Sequence, residues 1–332
     1  MNIATQKLCR NCIFAGFIAS LVFSPSALLS CALLAQDSSQ SPFVYVLGTA
    51  QDAGYPQAGC RKECCQDAWL DPAVARYATS LAVCDPVSHQ VWLLDCSPDF
   101  KHQLQMLERL NSQQQAQPSN GYELNGIFLT HAHIGHYSGL IHLGREVMGT
   151  SGINVYAMPR MRKFLTSNGP WDQLVTLNNI QLQPLNADVA VKLNERLSVT
   201  PILVPHRDEY SETVGFIIEG PSRKVLFIPD IDKWSRWDRP IEDIVKAVDV
   251  AYLDGTFFGN GEIPGRDLSQ IPHPFIQESL QRFSGQPAHI RNRVRFIHLN
   301  HTNPALKPNS AARRIIAEAE CNVAEQGEKS EL

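Results

Sequence analysis

Apolar residues in this chain come in short runs closed by polar ones, with amphipathic stretches between them. Residues 43–47, 91–94, 126–130, 199–204, 225–228, 250–253 and 294–300 read as strands, because brief runs rich in Val, Ile and Phe suit a buried sheet. Residues 154–157 add another strand, and further strands cluster over 180–227. The stretch 99–110 has helical spacing instead, with Phe100, Leu104, Leu107 and Leu110 on one side. Residues 159–166, 241–248, 274–283 and 310–319 are expected to be helices, and 139–147 to continue as one. Residues 111–121, rich in Gln, Ser and Asn, read as a solvated loop. Strand and helix order alone supports an α/β class.

A chain of 332 residues, 44% hydrophobic, has room for one large domain or two small ones. Its formal net charge of −4 and lack of a long basic run argue against nucleic acid as a partner, since phosphate binding needs clustered Lys and Arg. At the N-terminus, Lys7 and Arg10 precede an apolar run over 13–23, and Ser24-Pro25-Ser26 breaks it. A basic head, a short apolar core and small residues beyond describe a secretory signal. Cys31 after Leu28-Leu29-Ser30 is a lipidation candidate, and cleavage after Ala35 is the rival. The expected organisation is a leader over 1–35, a linker over 36–42, one domain over 43–320 and a polar tail over 321–332. The protein would then be exported, periplasmic or lipid-anchored, touching a membrane only through the leader or lipid; without a leader it would be cytoplasmic. Its oligomeric state is not legible.

Candidate chemistry centres on His131-Ala132-His133-Ile134-Gly135-His136, at the end of an apolar strand. Residues two apart on a strand point the same way, so His131 and His133 can aim at one metal ion. His136 follows where the chain turns into a helix and can face a neighbouring position. Later strands end in Pro205-His206, Pro229-Asp230 and His301-Thr302, each a candidate ligand just past a strand. Cys60, Cys64 and Cys65 could hold a structural zinc; a disulfide or free thiols are the alternatives, and a fourth ligand is not visible by spacing. His89, His102, His142 and His289 have no such context. Cys96 reads as a buried small residue.

Taken together, His-x-His-x-x-His, then His206, Asp230 and His301 resemble the metallo-β-lactamase superfamily. Residues 47–54, 131–140, 205–210, 229–234 and 298–304 are similar to the family of coenzyme PQQ (pyrroloquinoline quinone) biosynthesis protein B. The resemblance implies a single-domain αββα sandwich. It implies one metal held by His131, His133, His206 and Asp230, and a second by His136, His301 and Asp230. Similar hydrolases usually carry an aspartate at the position of Gly135; the protein B family shares the glycine, which should weaken the second position. The cofactor would be Zn2+, one or two ions, or Fe2+. Asp254 and His273 are candidates for proton delivery, because similar phosphodiesterases carry an acid and a histidine in corresponding segments. Asp230 joins them as a catalytic candidate. Asp52 and Asp95 are expected to orient ligating imidazoles, and His298 to be a supporting or core histidine.

The function expected first is metal-dependent hydrolysis of a small-molecule or peptide substrate by metal-bound water. The alternatives are an iron-dependent oxidation or hydroxylation in PQQ-type cofactor formation and a non-enzymatic metal-bearing carrier. Export would stand against the cofactor-synthesis role, because relatives in that role are expected in the cytoplasm. A tRNA-processing nuclease would share the fold, but the acidic balance argues against it.

Overall fold

A computed structural model describes residues 40–114, 123–267 and 271–332. The leader, its possible cleavage and lipidation sites, and most of the predicted loop over 111–121 lie outside the described residues.

Two mixed sheets form the interior. The first contains β1 (Phe43–Gly48), β2 (Ser80–Asp85), β3 (Gln90–Leu94), β4 (Glu123–Phe128), β5 (Ile153–Ala157) and β6 (Ile180–Pro184). The second contains β7 (Val191–Lys192), β8 (Ser198–Leu203), β9 (Val214–Glu219), β10 (Lys224–Ile228), β11 (Val250–Asp254), β12 (Val294–Ile297) and β13 (Asn322–Val323). The chain then returns to the first sheet as β14 (Lys329–Glu331), beside β1. The orders are β14-β1-β2-β3-β4-β5-β6 and β13-β12-β11-β10-β9-β8-β7. In each sheet four strands meet antiparallel (β14 and β1 to β3; β7 to β10) and the run continues parallel from there.

Each sheet is buried on both faces, which explains the uninterrupted apolar runs. Val225 and Phe227 of β10 face the layer between the sheets, with Val44, Val83, Leu94 and Phe128 of the first sheet. Leu226 and Ile228 face the opposite way, into an outer layer with the helices α6 (Ile241–Lys246), α7 (Ile276–Phe283) and α9 (Ala311–Glu318). In α7 the buried residues Ile276, Ser279, Leu280 and Phe283 repeat at helical spacing, so one face docks on the sheet. Ser310 caps α9 by accepting the Arg313 N–H at 3.2 Å. The other outer layer holds α2 (Phe100–Gln114), α4 (Pro159–Ser167) and α5 (Trp171–Thr176) against the first sheet. These four layers make an αββα sandwich.

Three expectations change. The helix expected over 99–110 runs on as α2 to Gln114, into the predicted loop. The segment over 139–147 is not one α-helix: α3 (Ile134–Tyr137) is a single turn, and Ser138–Leu143 tightens to 3-10 geometry. Gly139 there lies so close to residue 97 that a Cβ would meet the Ser97 carbonyl oxygen at 2.2 Å. The expected polar tail over 321–332 is folded: Leu332 is buried, and its N–H donates to the Pro42 carbonyl at 2.8 Å.

Candidate metal centre

The ends of β1, β3, β4, β8, β10, β11 and β12 present Asp52, Asp95, His131, His206, Asp230, Asp254 and His298 along one edge of the sandwich. Backbone hydrogen bonds fix the approach. Val214 N–H donates to the Thr130 carbonyl at 3.1 Å, joining the two sheets beside the histidine motif. Ala132 N–H donates to Ser211 Oγ at 2.8 Å, holding the loop between His131 and His133.

His131, His133, His206 and Asp230 converge: one ligand atom from each lies within 4.8 Å of the others. His131 Nε2 is 2.8 Å from His133 Nδ1 and 3.3 Å from Asp230 Oδ2. His206 Nε2 is 3.6 Å from Asp230 Oδ1. Ligands at 2.0–2.2 Å around a tetrahedral ion are separated by about 3.3–3.6 Å, so these spacings fit a metal with little adjustment. Asp230 also belongs to a second group. Its Oδ2 is 3.2 Å from His136 Nε2 and 3.6 Å from His298 Nε2, and Asp52 completes that set.

The far ring nitrogens are held by polar partners, which fixes each ring. Asp95 Oδ2 is 2.7 Å from His136 Nδ1, and Thr130 Oγ1 is 2.9 Å from His131 Nδ1 while donating to Asp95. Asp232 Oδ1 is 3.3 Å from His206 Nδ1. Thr256 Oγ1 is 3.0 Å from His298 Nδ1. The inward atoms are left without partners: Asp52 Oδ1, Asp230 Oδ1 and Nε2 of His136, His206 and His298 are buried with no hydrogen bond among the described residues. Unsatisfied buried polar atoms are costly, and these five, divided between the two groups, suit cations.

Electrostatics differ between the two groups. Burial and the nearby His136 imidazole push His131 well below the usual histidine range, leaving the neutral ring that ligation requires. Burial also opposes charge on His136, but Asp95, Asp230 and Asp52 outweigh it and hold the ring well above that range. Burial disfavours the Asp230 carboxylate, yet the surrounding imidazoles keep it well below the usual carboxylate range and so ionised.

His273 stands beside this centre. Its Nδ1 is 2.7 Å from Asp254 Oδ2 and 3.2 Å from Asp230 Oδ1. Burial works against its charge, but Asp254 and Asp230 raise it to about 9. Asp254 is fully buried and accepts from Ile231 N–H, Thr256 N–H and Thr256 Oγ1. With its oxygens so engaged, Asp254 orients His273 and is not itself exposed as a proton donor.

Three site expectations are corrected. His301 does not join His136; it lies with Cys60, Cys64 and Cys65, as the fourth member of that group. Cys60 Sγ and Cys64 Sγ are 3.8 Å apart, and all cysteines among the described residues are unpaired. Two sulfurs at 2.3 Å around tetrahedral zinc sit about 3.8 Å apart. His298 takes the place expected of His301. Its backbone is left-handed, φ +64°, and Leu299 is tied to Thr49, so the ring turns inward and His301 is carried to the other side. Asp52 faces the Nε2 edges of His136 and His298, not the Nδ1 edges at which an orienting group would sit. The strand-terminal position of Asp52 was a usable signal; the inverted backbone at His298 was not readable.

A Beta-lactamase superfamily domain matches residues 91–301. Coenzyme PQQ synthesis protein B of Methylorubrum populi is 28% identical over 307 residues, covering 86% of this chain and 98% of the relative. Its counterpart in Pseudomonas protegens is 28% identical over 317 residues, covering 87% and 100%. Among solved structures, Zn(2+)-bound PqqB from Methylobacterium extorquens matches with a TM-score of 0.72 at 24% identity, over 87% of this chain and 100% of that one. A diphosphatase from the PhnP family matches with a TM-score of 0.60 at 19% identity, over 88% and 97%. With the sandwich, the metal-binding geometry and a domain match over most of its length, this chain belongs to the beta-lactamase superfamily, in its metallo-β-lactamase fold, and is similar to coenzyme PQQ synthesis protein B.

Proposed function

We propose that this protein is a metal-dependent hydrolase. The observation that carries the reading is Asp230, a buried carboxylate shared by the two histidine-rich groups of ligand atoms and by a third with Asp254 and His273. His131, His133, His206 and Asp230 would hold the first ion. When bound, such an ion polarises a carbonyl or phosphoryl oxygen and brings a coordinated water to near-neutral pKa. The chain's own residues do the rest. Buried walls exclude bulk water on most sides, and the partly exposed His133, tied to Glu209 at 3.0 Å, marks the open side. Exposed Ile134 and Tyr210 flank that opening and offer apolar contact to a substrate. His273 is held protonated by Asp254 and delivers the proton to the leaving group from the ring nitrogen that Asp254 does not hold.

A panel of esters, thioesters, amides and phosphodiesters tests this on protein as isolated and reloaded with zinc or iron. Turnover of one class, lost in His131→Ala and kept in His142→Ala, is expected. Full turnover and full metal content in His131→Ala would overturn the assignment. The second reading is an iron-dependent oxidation in PQQ-type cofactor formation. It is supported by similarity to the PQQ synthesis proteins over most of the chain and by a nitrogen-rich ligand set with one carboxylate. Substrate-dependent oxygen uptake by the iron-loaded protein, without hydrolysis by either form, would select it.

A further inference from the structure

Gly135 has no room for a side chain. A Cβ there would lie 2.2 Å from Asp52 Oδ1 and 2.5 Å from Asp52 Cα. Asp52 cannot easily give way, because its turn is fixed on both sides. Gly54 N–H donates to the Gln51 carbonyl at 2.8 Å and closes the turn. Gln51 N–H donates to Leu299 O at 2.9 Å, and Leu299 N–H to Thr49 O at 2.8 Å. These bonds zip the loop after β1 to the loop after β12. They set Asp52 beside His298 and, through the gap at Gly135, against His136.

The carboxylate delivered this way has a defined target. Asp52 Oδ1 is 3.3 Å from His136 Nε2 and 3.7 Å from His298 Nε2. All three atoms are buried without a hydrogen-bond partner among the described residues. Both imidazoles are essentially inaccessible, and their Nδ1 atoms are already held by Asp95 and Thr256. An orienting role for Asp52 is therefore taken. Two nitrogens and two carboxylate oxygens remain, at spacings near those of a four-ligand ion.

We propose that Asp52 supplies an oxygen ligand to a second metal position formed with His136, His298 and Asp230, and that Gly135 is the space through which it does so. Residues 52 and 135 form a coupled pair: a carboxylate from one requires the absence of a side chain at the other. The proposal rests on metal binding at the His131 group, not on the reaction that follows. It turns a weakened second position into one with a full ligand set, built from a turn some eighty residues upstream of the histidine motif.

The test loads the full chain with Mn2+, an oxygen- and imidazole-tolerant ion poorly suited to the thiolate group. Stoichiometry and electron paramagnetic resonance are read together. The wild type should bind two ions at the centre and give the spectrum of a spin-coupled pair. Asp52→Ala, and the isosteric Asp52→Asn should alanine disturb folding, should lose the coupled spectrum and weaken the second ion at least tenfold. The first ion should stay. Gly135→Asp alone should lose the second ion through the clash with Asp52. An unchanged coupled spectrum in both Asp52 variants would overturn the proposal, as would a single uncoupled ion in the wild type. A wild type that binds nothing at the centre would overturn the metal reading itself, and this proposal with it.

Discussion

His301→Ala tests whether His301 belongs with the cysteine group or with His136. The substitution removes the one nitrogen from the set of Cys60, Cys64, Cys65 and His301. That set ties the segment before and within α1 (Glu63–Leu70) to the turn after β12. Cys65 and Ala68 also pack into the outer core layer. Tyr55 Oη donates to the Cys64 carbonyl at 2.9 Å, and Lys307 Nζ donates to Asp67 at 3.1 Å on the surface. A metal that binds only the folded chain stabilises it by about 4.1 kcal/mol at a thousandfold excess over its Kd, and a hundredfold weaker Kd removes about 2.7 kcal/mol of that. In a large domain each kcal/mol moves the melting temperature by about 2–4 °C, so His301→Ala should melt roughly 5–10 °C lower. Thermal melting, metal analysis and cobalt substitution read this out. After gel filtration without added metal, one ion per chain should be lost, with the thiolate-to-cobalt absorption, while turnover stays within about threefold. His136→Ala should do the opposite, keeping the thiolate absorption and losing turnover. If His301→Ala keeps the thiolate signal and abolishes turnover, the separation of the two groups is wrong.

Asp254→Asn tests the positioning of His273. Burial opposes charge on that ring and Asp254 is the main group raising it to about 9, so the alkaline limb of the rate profile should move to lower pH in the variant, with kcat more affected than KM. An unmoved limb would remove His273 from the proton step. Glu262 is raised to about 7 by burial, against opposing hydrogen bonds from Thr302 and the Phe258 N–H. Because its folded value lies above its unfolded one, its contribution is fully present below about pH 4.5 and is lost as pH rises through about 7. Glu262→Gln should therefore gain on the wild type toward pH 8, by on the order of 1–2 kcal/mol after allowance for partial exposure, and denaturant melts at pH 5 and pH 8 that show no divergence would refute it. The leader proposed for residues 1–35 predicts a mature N-terminus between Cys31 and Ser41, and intact Met1 in a cytosolic fraction by mass spectrometry would exclude export.

Local pattern carried the parts of the site that local chemistry decides. His131, His133, His206 and Asp230 were legible because each follows an apolar strand, and side chains at strand ends project from a rigid frame. The split into two sheets was not readable from runs such as 225–228 and 250–253; only the resemblance supplied it. His298 stands where the pattern places His301 because its left-handed backbone is a tertiary outcome, set where Leu299 pairs with the loop after β1. The ring edge that Asp52 faces is not legible, since it depends on the space at Gly135. Residues 321–332 misled because their strands are two and three residues long, too short to show alternation.

The zipper between the loops after β1 and β12 has a consequence for how this protein chooses its metal. Asp52 and His298 are brought together only when the first and last thirds of the domain have paired, so no unfinished chain owns the second position. Ion capture there is then an event of the finished fold. First-row metals differ in intrinsic affinity in a fixed order, and availability decides among them in the cell. If the second ion binds as proposed, the compartment in which the chain completes its fold would select it: a chain folded before any transport would carry the metal of its birthplace, and one threaded out unfolded would take the metal it meets outside.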